Sequence, residues 1–542
     1  MLYTTIPTTP YLDQKPGTSG LRKKVKVFQQ DSYVENFIQS IFNTLDCTEK
    51  TIVVGGDGRF YNRVVIQKII KIAAANGFAR IIIGKGGILS TPAVSHIIRK
   101  YKFSGGIILT ASHNPGGITQ DFGIKYNTSS GGSASEQETE NIFEESKKIT
   151  CYRIMEIDDI DIDHIGTKEI ANITISIIDP IEDYVTLMES IFDFDEIRTL
   201  LSFGFRIDID CMNAVTGPYA KEILEGKLGA PAGSVRNFVS LEDFGGRHPD
   251  PNLIHAKDLY DRMMMDDSAD FGAACDGDGD RNMILGKGIF VNPSDSLAII
   301  VANAGLIPGY SNGLVGVARS MPTSTALDRV AEKLNLKLFE TPTGWKFFNN
   351  LLEKDMVSIC GEESFGTGSY HSREKDGIWS ILFWLNILAV RGESLSDIVH
   401  KHWATYGRNY YSRYDYPDIP TKNAQEFINN LRSRLSNLIG SSFIGKRIEK
   451  ASDFVYTDPI DGNISEKQGI YIVFEDLSRI IYRLSGTDTS NSTIRIYIEY
   501  YEPDSLKNSK DTQEILSELL EVSQLISYLH YYIGNKDPLI AS

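Results

Sequence analysis

Three stretches of the chain repeat one order of apolar and polar positions, although their residues differ. In the first, the β-branched run "TIVVGGDGRF" (51–60) predicts a strand with a Gly-rich turn, and apolar positions at Val65, Ile69, Ile72 and Ala73 predict a helix stopped at Gly77. A second strand, "RIIIGKGG", follows at 80–87. The order recurs as "FRIDIDCMNAVTG" (205–217), a helix over Tyr219 to Leu228, and "SVRNFVSL" (234–241). It recurs again as "GLVGVARSMPTS" (313–324), a helix from Ala326 to Leu334, and "LKLFETPTG" (336–344). Each is a βαβ unit. Each is followed by one more apolar strand that runs into a polar loop: "GGIILTASHNP" (105–115), "FGAACDGDGDR" (271–281) and "MVSICGEESFG" (356–366).

Beyond about residue 410 the pattern changes. An extended Tyr-rich segment, "RNYYSRYDYPD" (408–418), and a helix over Ala424 to Ile439 precede the strands "GIYIVFED", "SRIIYRLSG" and "STIRIYIEYYE", and a last helix runs from Thr512 to Tyr528. Consecutive strands flanked by helices predict an α+β domain. The expected architecture is therefore α/β: three similar mixed α/β domains plus a C-terminal α+β domain around one central cleft. The expected divisions are 1–182, 183–303, 304–408 and 409–542. In open α/β sheets ligands bind beyond the carboxyl ends of the strands, so the three polar loops are candidates for one shared site.

Composition narrows the function. With 55 basic against 71 acidic residues the net charge is −16, which argues against nucleic acid and against anionic membranes as partners, since both need a basic footprint. No run of about 18 apolar residues predicts an integral membrane segment. No targeting pattern is read at the N-terminus, so a cytoplasmic protein is expected. Five scattered cysteines without a C-x-x-C pair are expected to be mostly buried thiols.

The loops carry distinct chemistry. In "DGDGDR", Asp276, Asp278 and Asp280 alternate with glycines, so three carboxylates share a face and can converge on one hard cation. An EF-hand would need Gly at position 6 and Glu at position 12 of the loop, where Arg281 and Lys287 stand, so Mg²⁺ fits better than a calcium-sensor site. In "RLSGTDTSNSTIR", the guanidinium forks of Arg483 and Arg495 flank the hydroxyls of Ser485 and Thr487, a set suited to a dianionic phosphate. Ser112 in "TASHNP" is not in a G-x-S-x-G elbow, and beside a metal loop and a phosphate loop its expected role is to carry a phosphoryl group. Glu362 and Ser364 in "GEES" suit neighbouring sugar hydroxyls, and "HSREKDG" adds Lys375. Neither a dinucleotide fingerprint nor a P-loop occurs.

The motifs "KPGTSGLRKKV", "TASHNPGG", "FGIKYN", "EDFGGRHPDPNL", "DGDGDRNMILG", "FVNPSDS", "TPTGWKFF", "GEESFGTGS", "REKDGIW" and "RLSGT", in this order over nearly the whole chain, resemble the α-D-phosphohexomutase superfamily, specifically its eukaryotic phosphoglucomutases, and also their exocytosis-linked relative parafusin. The resemblance implies reversible conversion of glucose 1-phosphate to glucose 6-phosphate, with glucose 1,6-bisphosphate as intermediate and activator. It implies that Ser112 is the phosphoserine, with its phosphate and Asp276, Asp278 and Asp280 holding Mg²⁺. Arg22 and Arg281 would lie beside it, with His113 and Lys125 handling the proton of the attacking hydroxyl. Thr343 and Gly344 would set sugar orientation, Glu362 and Ser364 would hold sugar hydroxyls, and Arg483, Ser485, Thr487 and Arg495, assisted by Lys375, would hold the unreacting phosphate. The alternatives are a parafusin-like exocytosis-associated protein on the same fold, or a mutase for another hexose phosphate. A small-molecule sugar phosphate is the expected partner, for a monomer or weak dimer. Two departures from the family pattern, Asp488 after "RLSGT" and Tyr370 before His371, bear on substrate affinity.

Overall fold

The computed structural model describes residues 3–17, 19–170, 172–486 and 491–540. The first unit is a seven-stranded sheet whose centre is parallel: Gly105–Leu109, Thr51–Gly56, Arg80–Ile88 and Ile173–Ile178 lie side by side in that order. Asp121–Thr128 joins antiparallel to Gly105–Leu109 and carries Leu21–Lys24 on its outer edge. The second unit orders Val235–Arg236, Ile207–Asp210, Phe271–Cys275 and antiparallel Asn282–Gly286, and the third orders Lys337–Thr341, Gly316–Ser320, Ile359–Glu362 and antiparallel Gly366–Ser369. The same four-strand order thus occurs three times. Each polar loop leaves the carboxyl end of the third strand of its unit, next to the first, where a sheet of this winding opens a crevice.

Apolar side chains weld these units together. One contiguous core takes Val53, Leu89, Ile98 and Ile108 from the first unit, Ile209, Phe271 and Ile284 from the second, and Val317, Ile359, Trp379 and Phe383 from the third. The helix Gly377–Arg391 is apolar nearly all round, as a helix enclosed on all sides must be. Together with Leu395–Tyr406 it forms a pair bent by 86°, and among the described residues no single helix is long and apolar enough to cross a membrane.

The C-terminal unit keeps a core of its own. Its antiparallel sheet orders Ser442–Phe443, Lys446–Asp453, Ile470–Phe474, Arg479–Ser485, Asn491–Glu502, Arg408–Pro420 and Leu539–Ile540. Side chains alternate along its strands. Tyr410, Tyr414, Ile480, Tyr482, Ile494, Ile496 and Ile498 face the helices Thr421–Ser433 and Thr512–Ser527, while Tyr411, Ile481 and Tyr497 pack against Met321 of the third unit.

Three elements differ from the pattern-based expectation. "SVRNFVSL" pairs only through Val235 and Arg236, because Asn237 turns to a left-handed φ of 48° and gives its amide to Asp210. The helix expected over Tyr219 to Leu228 begins as an α-turn at Thr216–Ala220 and widens into a π-helix over Lys221–Lys227, with the Leu228 N–H reaching back to the Ile223 carbonyl. The helix expected over Ala424 to Ile439 breaks at Arg434, whose guanidinium lies over the Tyr528 ring and donates to the Ile526 carbonyl. As expected, Cys47, Cys211, Cys275 and Cys360 are buried thiols; Cys151 is exposed.

Candidate active site

The strand Gly105–Leu109 delivers Ser112 into a buried position with φ of 51°, a left-handed backbone that a serine adopts only when its surroundings impose it. The Ser112 N–H donates to Thr110 Oγ1 at 2.7 Å, and Thr110 Oγ1 donates to Asp57 Oδ2 at 2.6 Å. Arg59 holds the other side: Nη2 donates to the Ser112 carbonyl at 2.8 Å, and Nε pairs with Asp57 at 2.9 Å with both side chains fully buried. This pair follows the neighbouring strand Thr51–Gly56, and sequence reasoning missed it. Its signal was the Asp-Gly-Arg run at a strand's carboxyl end.

The second loop meets the serine from across the domain boundary. Ser112 Oγ donates to Asp276 Oδ2 at 2.8 Å, and a Cβ on Gly277 would stand 2.3 Å from the Ser112 carbonyl, so only glycine allows the approach. Asp276, Asp278 and Asp280 are buried with carboxylate oxygens mutually within 4.8 Å. Asp276 Oδ1 accepts the N–H groups of Asp280 and Arg281, and Asp278 Oδ2 accepts from Thr91 Oγ1 at 2.7 Å. Among the described residues, Asp278 Oδ1 and Asp280 Oδ1 are buried without a hydrogen-bond donor. Burial, together with the charges of Asp278 and Asp280, pushes the Asp276 carboxyl well above the usual range. Against burial, Lys375 and Arg281 hold Asp280 below it. Such a cluster is short of positive charge, and its unmet oxygens fit a bound cation.

Arg22, on the strand paired with Asp121–Thr128, is half-buried near Asp278, Asp280 and Arg281; loss of solvation lowers its pKa, and its Nε has no hydrogen-bond partner among the described residues. Arg281 lies 3.9 Å from both Asp250 and Asp280. His113 Nδ1 is 3.4 Å from Ser112 Oγ, and burial plus the cations Arg281 and Arg22 keep this imidazole neutral far below its ordinary pKa. Lys125 is engaged elsewhere: its ammonium pairs with buried Glu374 at 2.6 Å, and Asn127 and Ser133 donate to the same carboxylate. Glu374 is a second group that sequence reasoning missed.

The third loop supplies Glu362, buried at the end of Ile359–Glu362, whose Oε1 accepts the Gly344 N–H at 2.9 Å. Burial raises its pKa, and Lys375 opposes the rise. Thr343 Oγ1 is buried without a hydrogen-bond partner among the described residues, and Ser364 is half-buried beside Glu362. Lys375 reaches into the three-carboxylate loop, 2.8 Å from Asp280. Tyr370 serves packing: its ring stacks on His371 and its hydroxyl donates to the Gly309 carbonyl.

The sheet face of the C-terminal unit opposite its helices carries the arginines. Arg483 stands directly across from Arg495, which stands across from Asp415. Arg483 Nη1 donates to the Tyr497 hydroxyl at 3.1 Å, and Asp415 lies 3.1 Å from Arg413 and 3.7 Å from Arg495. Ser485 is on the same face, opposite Thr493. Thr487 and Asp488 lie outside the described residues. Arg413, which sequence reasoning missed, shares this face by simple alternation with Asn409, Tyr411 and Asp415. Glu363, also missed, is buried with Oε2 accepting from Ser320, and it bears electrostatically on Arg413, Arg483 and Tyr497. Serine, three carboxylates, a buried glutamate and an arginine-bearing sheet face thus come from four units.

Family comparisons agree with this assembly. Models of the phosphoglucomutase/phosphomannomutase α/β/α domains I, II and III match residues 13–153, 182–288 and 293–406, and a phosphoglucomutase-1 C-terminal domain model matches 408–539. The chain is 58 % identical over 537 residues to a phosphoglucomutase of Rhizobium radiobacter and 52 % identical over 559 residues to human phosphoglucomutase-1, in both cases covering 99 % of each chain. It superposes on the open form of the exocytosis-sensitive phosphoprotein parafusin, a phosphoglucomutase of Paramecium, with a TM-score of 0.92 and 45 % identity, covering 100 % of this chain and 99 % of that one. With all four domains matched in order and full-length relatives at such identity, the chain belongs to the phosphoglucomutase/phosphomannomutase family and is an isomerase-class phosphotransferase.

Proposed function

We propose that the chain interconverts glucose 1-phosphate and glucose 6-phosphate by carrying a phosphoryl group on Ser112. The observation that carries this reading is the buried Ser112 hydroxyl donating to Asp276 within a three-carboxylate cluster, with an arginine-bearing sheet face on a neighbouring unit. Phosphorylated Ser112 gives its phosphoryl group to the free hydroxyl of the sugar phosphate, yielding glucose 1,6-bisphosphate. The bisphosphate turns end for end, and its other phosphate returns to the serine.

The chain's residues divide the work. Asp276, Asp278 and Asp280, with an oxygen on Ser112, would hold Mg²⁺, which when bound neutralises charge on the phosphoryl oxygens. Arg22 and Arg281 add fixed positive charge beside the reacting phosphate. His113, kept neutral by its surroundings, is the group able to accept the proton of the attacking hydroxyl, whereas Lys125 is paired with buried Glu374. Arg483, Arg495, Ser485 and Thr487 clamp the unreacting phosphate, and Glu362 and Ser364, oriented by Thr343 and Gly344, hold sugar hydroxyls in either orientation. Lys375, placed between Asp280 and the Glu362 loop, links phosphoryl and sugar subsites. The reading includes a cytoplasmic protein that works as a monomer or weak dimer.

The test is a coupled assay with glucose 1-phosphate, Mg²⁺ and a trace of glucose 1,6-bisphosphate, for the protein and its Ser112→Ala variant. Turnover lost in a folded variant supports the assignment. Equal turnover in both would overturn it, and activity only with mannose or N-acetylglucosamine phosphates would move the substrate within the family.

A further inference from the structure

The loop between the strand Val235–Arg236 and the helix Lys257–Met263 holds a second cluster of metal-ligand side chains, chemically unlike the first. His248, Asp250 and His255 each present one donor atom, all within 4.8 Å of one another. The loop is shaped by its own hydrogen bonds: the Asp250 N–H donates to the His248 carbonyl, the Asn252 N–H to the Asp250 carbonyl, and Asn252 Oδ1 accepts the N–H groups of Ile254 and His255. Those bonds return the chain so that the two imidazoles, seven residues apart, lie with centroids 4.1 Å from each other. Among the described residues, His248 Nδ1 and Asp250 Oδ1 are buried and lack hydrogen-bond partners. Unmet donor atoms at such positions are costly unless something binds them.

Two imidazoles and one carboxylate form a set that prefers late first-row divalent ions over Mg²⁺. Tetrahedral Zn²⁺ takes His nitrogens and a carboxylate oxygen at about 2.0–2.2 Å, which places neighbouring donors roughly 3.4 Å apart. The two rings are stacked with their planes 18° apart, so the exposed His255 ring must swing away from His248 for both nitrogens to aim at one ion. The fourth position would be left to water. The cluster also touches the active site: Asp250 Oδ1 is 3.9 Å from Arg281 Nη1, and the His248 ring centroid is 6.3 Å from that of His113. The Gly277 N–H in the metal loop donates to the carbonyl of Pro249, between His248 and Asp250.

We infer that His248, Asp250 and His255 form a second metal site, selective for Zn²⁺-like ions, and that its occupation slows the mutase by drawing Asp250 away from Arg281. A cation on Asp250 competes with the guanidinium for the same oxygen, so Arg281 loses a nearby carboxylate, 3.9 Å away, that offsets its charge. The inhibitory half of this inference rests on the role proposed above for Arg281; the binding half does not.

The experiment is equilibrium dialysis of the full chain against Zn²⁺ in excess Mg²⁺, with His255→Asn, His248→Asn and Asp278→Asn variants, each checked by circular dichroism. The expected result is one Zn²⁺ equivalent that Asp278→Asn retains and both histidine variants weaken, by at least the roughly 10–100-fold that loss of a mere outer-shell partner costs. Activity in excess Mg²⁺ should fall as Zn²⁺ is added to the unmodified protein, while His255→Asn keeps its basal rate and resists Zn²⁺ by at least about tenfold. Zn²⁺ binding unchanged in both histidine variants, or abolished only by Asp278→Asn, would overturn the site. Histidine-dependent binding without inhibition would overturn the coupling and leave the site standing. A chain with no mutase activity at all would refute the proposed function while the dialysis still reads the metal.

Discussion

On the function proposed above, the cleft has a reacting end around Ser112 and a clamping end around Arg483, and the two are built on different principles. Around Ser112, the strand ends of two of the welded units supply Asp57, Arg59, Asp276, Asp278 and Asp280, every one buried. Around Arg483, one antiparallel sheet with a separate core presents arginines that are shared with Asp415 and Tyr497 and stay partly open to solvent. The first arrangement fixes a geometry before substrate arrives. The second sets cationic forks on a unit with its own core, joined to the third unit where Tyr411, Ile481 and Tyr497 pack against Met321. Phosphoryl transfer requires the first, because its catalysis is mostly positioning and fixed charge. A clamp that must accept either phosphate of a turning bisphosphate is served by the second.

The largest test of this contrast is Asp278→Asn, which removes charge from the reacting end without changing shape. It should lower kcat by about 10⁴-fold, a loss of the several kcal/mol expected for a missing metal contribution, while the melting temperature stays near that of the unmodified chain. Undiminished activity of the variant at the Mg²⁺ concentration that saturates the unmodified chain would show that Asp278 is not a ligand.

Next comes Arg59→Leu. It leaves Asp57 buried without its cation, and breaking such a pair costs about 3–5 kcal/mol of stability. Denaturant unfolding should register that loss, and kcat should fall because the Ser112 carbonyl loses its donor. Stability unchanged within about 1 kcal/mol would mean the reacting end is less rigid than its hydrogen bonds indicate.

At the clamping end the same kind of change should act on binding. Arg483→Ala should raise KM for the sugar phosphate by about 10–100-fold, the 1.5–3 kcal/mol of a lost charge-assisted hydrogen bond, and change kcat less. Equal losses in kcat and kcat/KM would erase the distinction between the two ends.

The sequence made the repeated α/β units and the polar loops visible, because alternation, Gly-stopped helices and "DGDGD" are local signals. It also grouped Arg483 and Arg495 as the two ends of one polar turn; in the structure they stand opposite each other, and residues at the same parity along each strand share their sheet face. The same rule applied to "RNYYSRYDYPD" finds Arg413 beside Asp415. What stayed hidden depends on partners far along the chain. Glu374 acquires meaning only through Lys125, 249 positions away, and the Arg59 side chain only through the Ser112 carbonyl, 53 away. Lys125, read from the motif "FGIKYN", has a buried glutamate as its counter-ion in space, a pairing that no local signal announces.

The smallest effect separates the ends by pH. Histidines held neutral by burial lie in the welded units: His96 and His371 are pushed down to about 4 and His402 to about 3, each mainly by loss of solvation. The C-terminal unit has only the exposed His530. Because the folded pKa of each buried histidine is below its unfolded value of about 6.5, the unfolded chain binds more protons between those values. Their contribution is therefore fully present above pH 6.5 and is lost as pH falls toward 4. Acid should then loosen the welded units before the arginine-bearing one, read by hydrogen exchange in Ile387 and Leu388 against Ile480 and Ile496. His402→Leu should flatten the fall in stability by at most about 1.4 kcal/mol per pH unit. If the C-terminal sheet exchanged first, acid sensitivity would reside in its carboxylate and arginine pairs, and the clamping end would be the more tightly charge-locked of the two.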